Sequence, residues 1–98
     1  MAIQLDQRHQ RIVADVLAKA LGQIGQVKVY GSRATGRARP SSDLDLVIFP
    51  PASESLVGEL ALAFEECDLP IFVDVIAWEH ISNPVLRAEI ERDAIPFS

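Results

Sequence analysis

Helix-like and strand-like hydrophobic periods alternate along this chain, and that alternation limits the fold more than any other feature. Ile12, Val13, Val16, Leu17, Ala20, Leu21 and Ile24 form one apolar stripe. Their spacing predicts an amphipathic helix from about Asp6 to Leu21, ended by Gly22 and Gly25. Val27, Val29 and Tyr30 read as a short strand that stops at Gly31. From Arg33 to Ser42 the chain is rich in Arg, Gly, Pro and Ser, as expected of a helical turn followed by a loop. A second strand runs from Asp43 to Phe49 and is closed by Pro50-Pro51. Ser53 is placed to cap a second helix that shows Leu56, Leu60, Phe64 and Cys67 on one face. Pro70 ends that segment and opens a third strand, Ile71 to Ala77. Asn83 to Arg92, with Pro84 in the first turn, reads as a last helix with Val85, Leu86 and Ile90 as its apolar positions. The expected order is α-β-α-β-α-β-α. That is an α/β (α+β) fold, a small mixed sheet flanked by helices.

At 98 residues the sequence has room for one core, so residues 1–98 are expected to form a single domain. Lys and Arg number 9 against 14 Asp and Glu, a net charge of -5. A general nucleic-acid coat needs a basic face, so such binding is not expected. Any phosphate chemistry must therefore use a local device. Cys67 is the single cysteine, which excludes an internal disulfide framework and a thiolate-based zinc site. His9 and His80 are not paired at metal-ligand spacing. The densest apolar stretch, Leu44 to Pro51, is far short of the roughly 20 residues that span a bilayer. Residues 1–10 carry no apolar run of signal-peptide length. A cytoplasmic protein with no membrane contact is the expectation.

The acids matter by position. On the second strand, Asp43, Asp45, Val47 and Phe49 share a face opposite Leu44, Leu46 and Ile48. On the third, Asp74 shares a face with Phe72 and Ile76. Asp is disfavoured in strands and seldom buried without a partner, and such local conflicts tend to mark functional sites. Asp43 and Asp45, two residues apart on a strand, point the same way and repel unless a cation lies between them. Mg²⁺ (or Mn²⁺) suits oxygen ligands, and Asp74 is available as a third carboxylate. Taken alone, an Asp-x-Asp pair better suits the solvated start of a strand.

Gly31-Ser32 strengthens the chemical reading. Glycine lets a ligand approach the backbone closely, and a Ser opening a helical turn offers its hydroxyl and backbone N–H groups to an anion. With a short connection, the strand ending at Ser32 and the one beginning at Asp43 are expected to lie side by side and antiparallel. Gly31-x4-Gly36-Arg37-Ala38 also has the spacing of a P-loop, but that motif requires Lys and then Ser or Thr where this chain has Arg37 and Ala38. A P-loop NTPase is thereby rejected.

Gly31-Ser32, ten residues, then Asp43-Leu44-Asp45 resembles the signature of the DNA polymerase β-type nucleotidyltransferase superfamily. The stretch from Gly31 to Leu46 is especially similar to the minimal nucleotidyltransferases, or MNT proteins. Val73-Asp74-Val75-Ile76-Ala77-Trp78 resembles their third-carboxylate strand. The resemblance implies that Gly31 and Ser32 hold a nucleoside triphosphate, with ATP as donor. It implies that Asp43, Asp45 and Asp74 ligate Mg²⁺, and that Asp74 favours deprotonation of the attacking hydroxyl. The reaction would transfer NMP, AMP in particular, to a hydroxyl acceptor.

Arg33, Arg37 and Arg39 lie within seven residues in the adjoining loop, and each suits either a phosphate contact or a solvated loop. Arg37 is the candidate for the triphosphate. Glu65, Glu66 and His80 read as surface residues and Cys67 as a small core residue. Only about twenty residues follow the third strand, too few for an acceptor-binding domain. The acceptor, or its binding surface, is therefore expected from another polypeptide, with a homo- or a hetero-oligomer left open. Among relatives of this kind the partner is a small helical HEPN protein encoded nearby, and in some pairs the MNT protein is an antitoxin that adds AMP to the HEPN toxin. Two alternatives are the catalytic subunit of a two-component small-molecule nucleotidyltransferase and a non-catalytic module that neutralises its partner by contact.

Overall fold

A computed structural model describes residues 3–19, 25–50 and 54–97. Helix α1 spans Gln7–Ala18 and is capped by the Asp6 carboxylate, which accepts from the Arg8 backbone N–H at 2.7 Å. Val13, Val16 and Leu17 of its stripe are buried. Ala20, Leu21 and Ile24, and the helix stop at Gly22, lie outside the described residues, as does the cap expected at Ser53. Strand β1 is Val27–Tyr30, helix α2 is Ser32–Thr35 and strand β2 is Leu44–Ile48. Helix α3 spans Glu54–Glu66, strand β3 Val73–Ala77, helix α4 Pro84–Asp93 and strand β4 Ile95–Pro96, with a 3-10 turn at Trp78–His80.

The four strands form one mixed sheet in the order β3-β2-β1-β4. β1 pairs antiparallel with β2, as expected, and β2 pairs parallel with β3 across the α3 crossover. The expected class and element order hold, but β2 is one residue shorter at each end than expected, leaving Asp43 and Phe49 just outside it, and there are two further differences. β4 was not anticipated, because two residues carry no readable period; it pairs antiparallel with β1, Ile95 opposite Val29. β3 begins at Val73, two residues later than expected, although the Phe72 carbonyl already accepts from the Leu44 N–H at 2.9 Å.

Leu44, Leu46 and Ile48 of β2 join Val29, Val73, Val75 and Ala77 on the sheet face covered by α1 and α3. Leu56, Leu60 and Phe64 supply the α3 side of this core. Val47 points the other way and is nevertheless fully buried, and Ile90 of α4 is buried with α4 packed against β1. Beyond β2 and β3 a ladder of cations and rings fastens α4. Lys28 Nζ lies 5.5 Å from the Phe49 ring centroid, Phe49 and Trp78 are 5.2 Å apart, and Arg87 Cζ sits 4.0 Å from the Trp78 centroid. Arg87 also donates to the Trp78 and Ile81 carbonyls at 3.1 and 3.0 Å. Asn83 caps α4 through bonds from the Val85 and Leu86 backbone N–H groups. Val85, by contrast, is exposed rather than part of an apolar stripe.

Leu46 is fully buried on an interior strand. Leu46→Ala should therefore cost about 2–5 kcal/mol, read as a lower urea midpoint with an unchanged slope.

Candidate active site

Strand pairing brings the acids together. Asp45 lies beside Asp74 in the parallel β2–β3 register and opposite Tyr30 in the antiparallel β1–β2 register. Side chains of paired residues project to the same face, so Asp45, Asp74 and Tyr30 stand together on the face away from the main core. Asp43 precedes β2 and is exposed, close enough for its charge to act on Asp45. Burial, then the Asp74 charge and then that of Asp43, push the Asp45 carboxyl up to about 6. The Tyr30 hydroxyl is raised too, by burial first and then by Asp45 and Asp74. Tyr30 was not singled out from the sequence; its β1 position next to Gly31 was the available signal.

Gly31 stands at the turn between β1 and α2 with φ +74°, where side chains are strained. A Cβ there would lie 2.5 Å from Asp45 Oδ2, so the backbone that opens α2 runs directly against the carboxylate. Gly36 closes α2 in the left-handed region, φ +80°. Ser32 follows Gly31 as the first residue of α2, where backbone N–H groups lack intrahelical partners. Gly31, Ser32, Asp45 and Asp74 are thus assembled at adjacent strand ends.

The arginines separate. Arg37 is exposed and lines a cleft of about 660 Å³ between α2 and the α4–β4 junction, with Arg92 and Asp93 on its far wall. Among the described residues no ion pair links it to Asp43, Asp45 or Asp74. Arg39 is exposed, whereas Arg33 is buried at 6 % exposure and fits neither a phosphate contact nor a solvated loop. Its guanidinium is engaged by backbone carbonyls. His80 is exposed, and the Cys67 Sγ donates to the Phe64 carbonyl at 3.0 Å at the end of α3.

Among the described residues no three His, Cys, Asp or Glu side chains form a ready-made metal cage. The donor set nonetheless fits Mg²⁺, which favours one or two carboxylates completed by water and substrate phosphates over an all-protein cage. Asp45, held in its electrostatically costly place beside Asp74, is the kind of ligand a cation relieves.

The raised Asp45 sets a pH dependence for the metal-free chain. Its folded value near 6 exceeds the 3.8 of an ordinary aspartyl group, so the folded state keeps this proton more tightly than the unfolded chain. The resulting stability is complete below about pH 4 and is lost as pH rises to about 6 and above. Asp45→Asn should therefore be more stable than wild type at pH 7.5 by on the order of 1 kcal/mol, after allowance for solvent screening of a half-buried group. The gain should shrink at pH 4, as urea unfolding at the two pH values would record.

Residues 13–97 match the family model described as Polymerase beta, Nucleotidyltransferase. A Haemophilus influenzae protein described as a probable protein adenylyltransferase, MntA, is 41% identical over 59 residues, 58% of this chain and 52% of that protein. The match therefore spans about half the length of that relative. A solved structure described as a candidate minimal nucleotidyltransferase is 32% identical, with TM-score 0.67, over 92% of this chain and 90% of its own. The fold is also that of a toxin–antitoxin structure with AMP-PNP, at TM-score 0.73 and 16% identity over 91% of this chain and 72% of the other. It is likewise that of a complex of tri-AMPylated Shewanella oneidensis HEPN toxin with MNT antitoxin, at TM-score 0.68 and 14% identity over 96% and 72%. On the family match and the 32% identical structure, the chain belongs to the polymerase β nucleotidyltransferase family.

Proposed function

We propose that the chain is a metal-dependent adenylyltransferase that moves AMP from ATP to a hydroxyl on a helical HEPN-type partner, as the antitoxin of such a pair. The observation that carries this reading is the register of Asp45 beside Asp74 with the Gly31 backbone against the Asp45 carboxylate. An anion cradle and an acidic cluster at one place suit a nucleoside triphosphate and a divalent ion and little else. The described names of the Haemophilus influenzae relative and of the toxin–antitoxin structures support AMP as the transferred group and a HEPN protein as acceptor.

Each residue has a part in the reaction. The first turn of α2, from Gly31 and Ser32, holds the triphosphate through N–H groups and the Ser32 hydroxyl. Asp43, Asp45 and Asp74 would hold Mg²⁺ and orient the α-phosphate between them. When bound, Mg²⁺ supplies positive charge to the attacking and leaving oxygens of an in-line displacement. The acceptor oxygen forms a bond to the α-phosphorus, the bond to the β-phosphate oxygen breaks, and pyrophosphate departs. Asp74 draws off the acceptor's proton. Arg37, from its exposed place on the cleft, contacts the triphosphate. Among the described residues no helix is long and apolar enough to cross a membrane.

Incubation with ATP, Mg²⁺ and the product of the adjacent gene should give a partner carrying one or more added AMP groups by mass spectrometry. Asp43→Asn with Asp45→Asn should abolish the addition, and equal modification by that double variant would overturn the reading. Mg²⁺ with ATP should also raise the melting temperature of the wild-type chain, because a ligand bound by the native state alone stabilises it.

A further inference from the structure

Arg33 presents an unusual balance of charge. It is buried, and among the described residues no carboxylate pairs with it. A buried guanidinium left without partners would be costly, so its donors must be satisfied by other groups. They are satisfied by main-chain carbonyls. Nε donates to the Ser42 carbonyl at 3.2 Å, and Nη2 donates to the same oxygen at 2.8 Å. Nη2 also reaches the Arg39 and Pro40 carbonyls, each at 3.3 Å, and Nη1 donates to the Gln4 carbonyl at 2.7 Å.

Gln4 closes the arrangement from the other side. Its backbone N–H donates to the Arg33 carbonyl at 2.8 Å. Its side-chain amide donates to the Ala38 carbonyl at 3.0 Å, while its side-chain oxygen accepts from the Ala38 N–H at 3.1 Å. The loop between α2 and β2 is therefore gripped at both ends, at Ala38 by Gln4 and at residues 39–42 by Arg33. The double bond to Ser42 has a particular consequence. That carbonyl belongs to the planar peptide unit whose nitrogen is Asp43's, so two donors of a rigid fork on one oxygen restrain the plane from which the acidic strand starts. Arg33 itself directly follows Ser32.

We propose that Arg33 and Gln4 are positioning residues that clamp residues 38–42, fixing the Ser32 cradle and the Asp43–Asp45 carboxylates at one separation for a metal-bound triphosphate. The inference rests on the function proposed above. Neither residue touches the nucleotide; each acts through the loop. Lysine cannot replace Arg33, because three donors on a point charge do not reproduce the planar fork that spans several carbonyls. Small displacements of groups that must converge on one ligand are expensive, which is why such a clamp has a functional rather than only a structural effect.

The test compares wild type, Gln4→Ala and Arg33→Lys by calorimetric titration with ATP and Mg²⁺, each well below its own melting temperature. Amide hydrogen exchange is followed on the ligand-free proteins. Gln4→Ala should weaken ATP binding about five- to tenfold, the loss expected when two hydrogen bonds that set loop geometry are removed. Arg33→Lys should weaken it further. Exchange should quicken at residues 37–43 while the core strands keep their protection. A merely structural role would lower the melting temperature and leave affinity unchanged in the folded variants, and that result overturns the proposal. If Arg33→Lys does not fold, Gln4→Ala decides alone. If the wild-type chain binds no ATP with Mg²⁺, the proposed function itself falls, an outcome distinct from wild-type affinity in the variants.

Discussion

The pairing of β2 with β3 sets Asp45 beside Asp74 against their mutual repulsion, and the site depends on that register being held. Backbone bonds on both sides of β2 hold it, since the strand is interior to the sheet. So does the burial of Leu44, Leu46 and Ile48, each fully removed from water on the opposite face. A one-residue slip would turn those side chains to the acidic face and the aspartates into the core, which no reasonable packing tolerates. The apolar face thus secures the placement of the polar one. Burial first, and then the charges of Asp74 and Asp43, raise the Asp45 carboxyl. A carboxylate so placed is one that a nearby positive charge would stabilise.

The arginine-rich loop divides its charges according to surroundings. Arg33, Arg37 and Arg39 look equivalent in sequence, and phosphate contact was a fair expectation for any of them. In the structure Arg33 turns inward and becomes the organising centre of the loop, compensated by converging carbonyl dipoles rather than by an acid. Arg37 stays on the surface and lines a cleft against α4. A guanidinium can take either role, because its planar donors match carbonyl and phosphate oxygens alike. The net charge of -5 likewise loses its apparent conflict with phosphate chemistry. Asp43, Asp45 and Asp74 gather at one place instead of spreading over the surface.

On the far side of the sheet, packing takes a different form. α4 is fixed less by a broad apolar stripe than by Ile90, the Asn83 cap and the ladder from Lys28 through Phe49 and Trp78 to Arg87. Phe49 and Trp78 directly follow the paired Ile48 and Ala77, their rings meet, and cations at both ends complete the stack. This explains why the final helix is short of buried leucines and still docks.

Much was legible from one dimension. Alternating periods determined the helices and three main strands, because a stripe at 3.6 residues and an alternation at 2 have distinct burial consequences whatever surrounds them. Aspartates breaking an apolar strand, together with Gly31-Ser32, marked the candidate site, and the structure brings Asp45, Asp74 and Gly31 together there. Tertiary structure alone decided the rest. Two residues at Ile95-Pro96 become a strand only because β1 has an open edge to offer them. Tyr30 joins the acids because antiparallel register places it there. Whether Arg33 faces water or the interior depends on Gln4 and Ser42, 29 and 9 residues away, supplying carbonyls to receive it. Periodicity is a property of neighbours along the chain; a buried charge is decided by partners that only folding brings near.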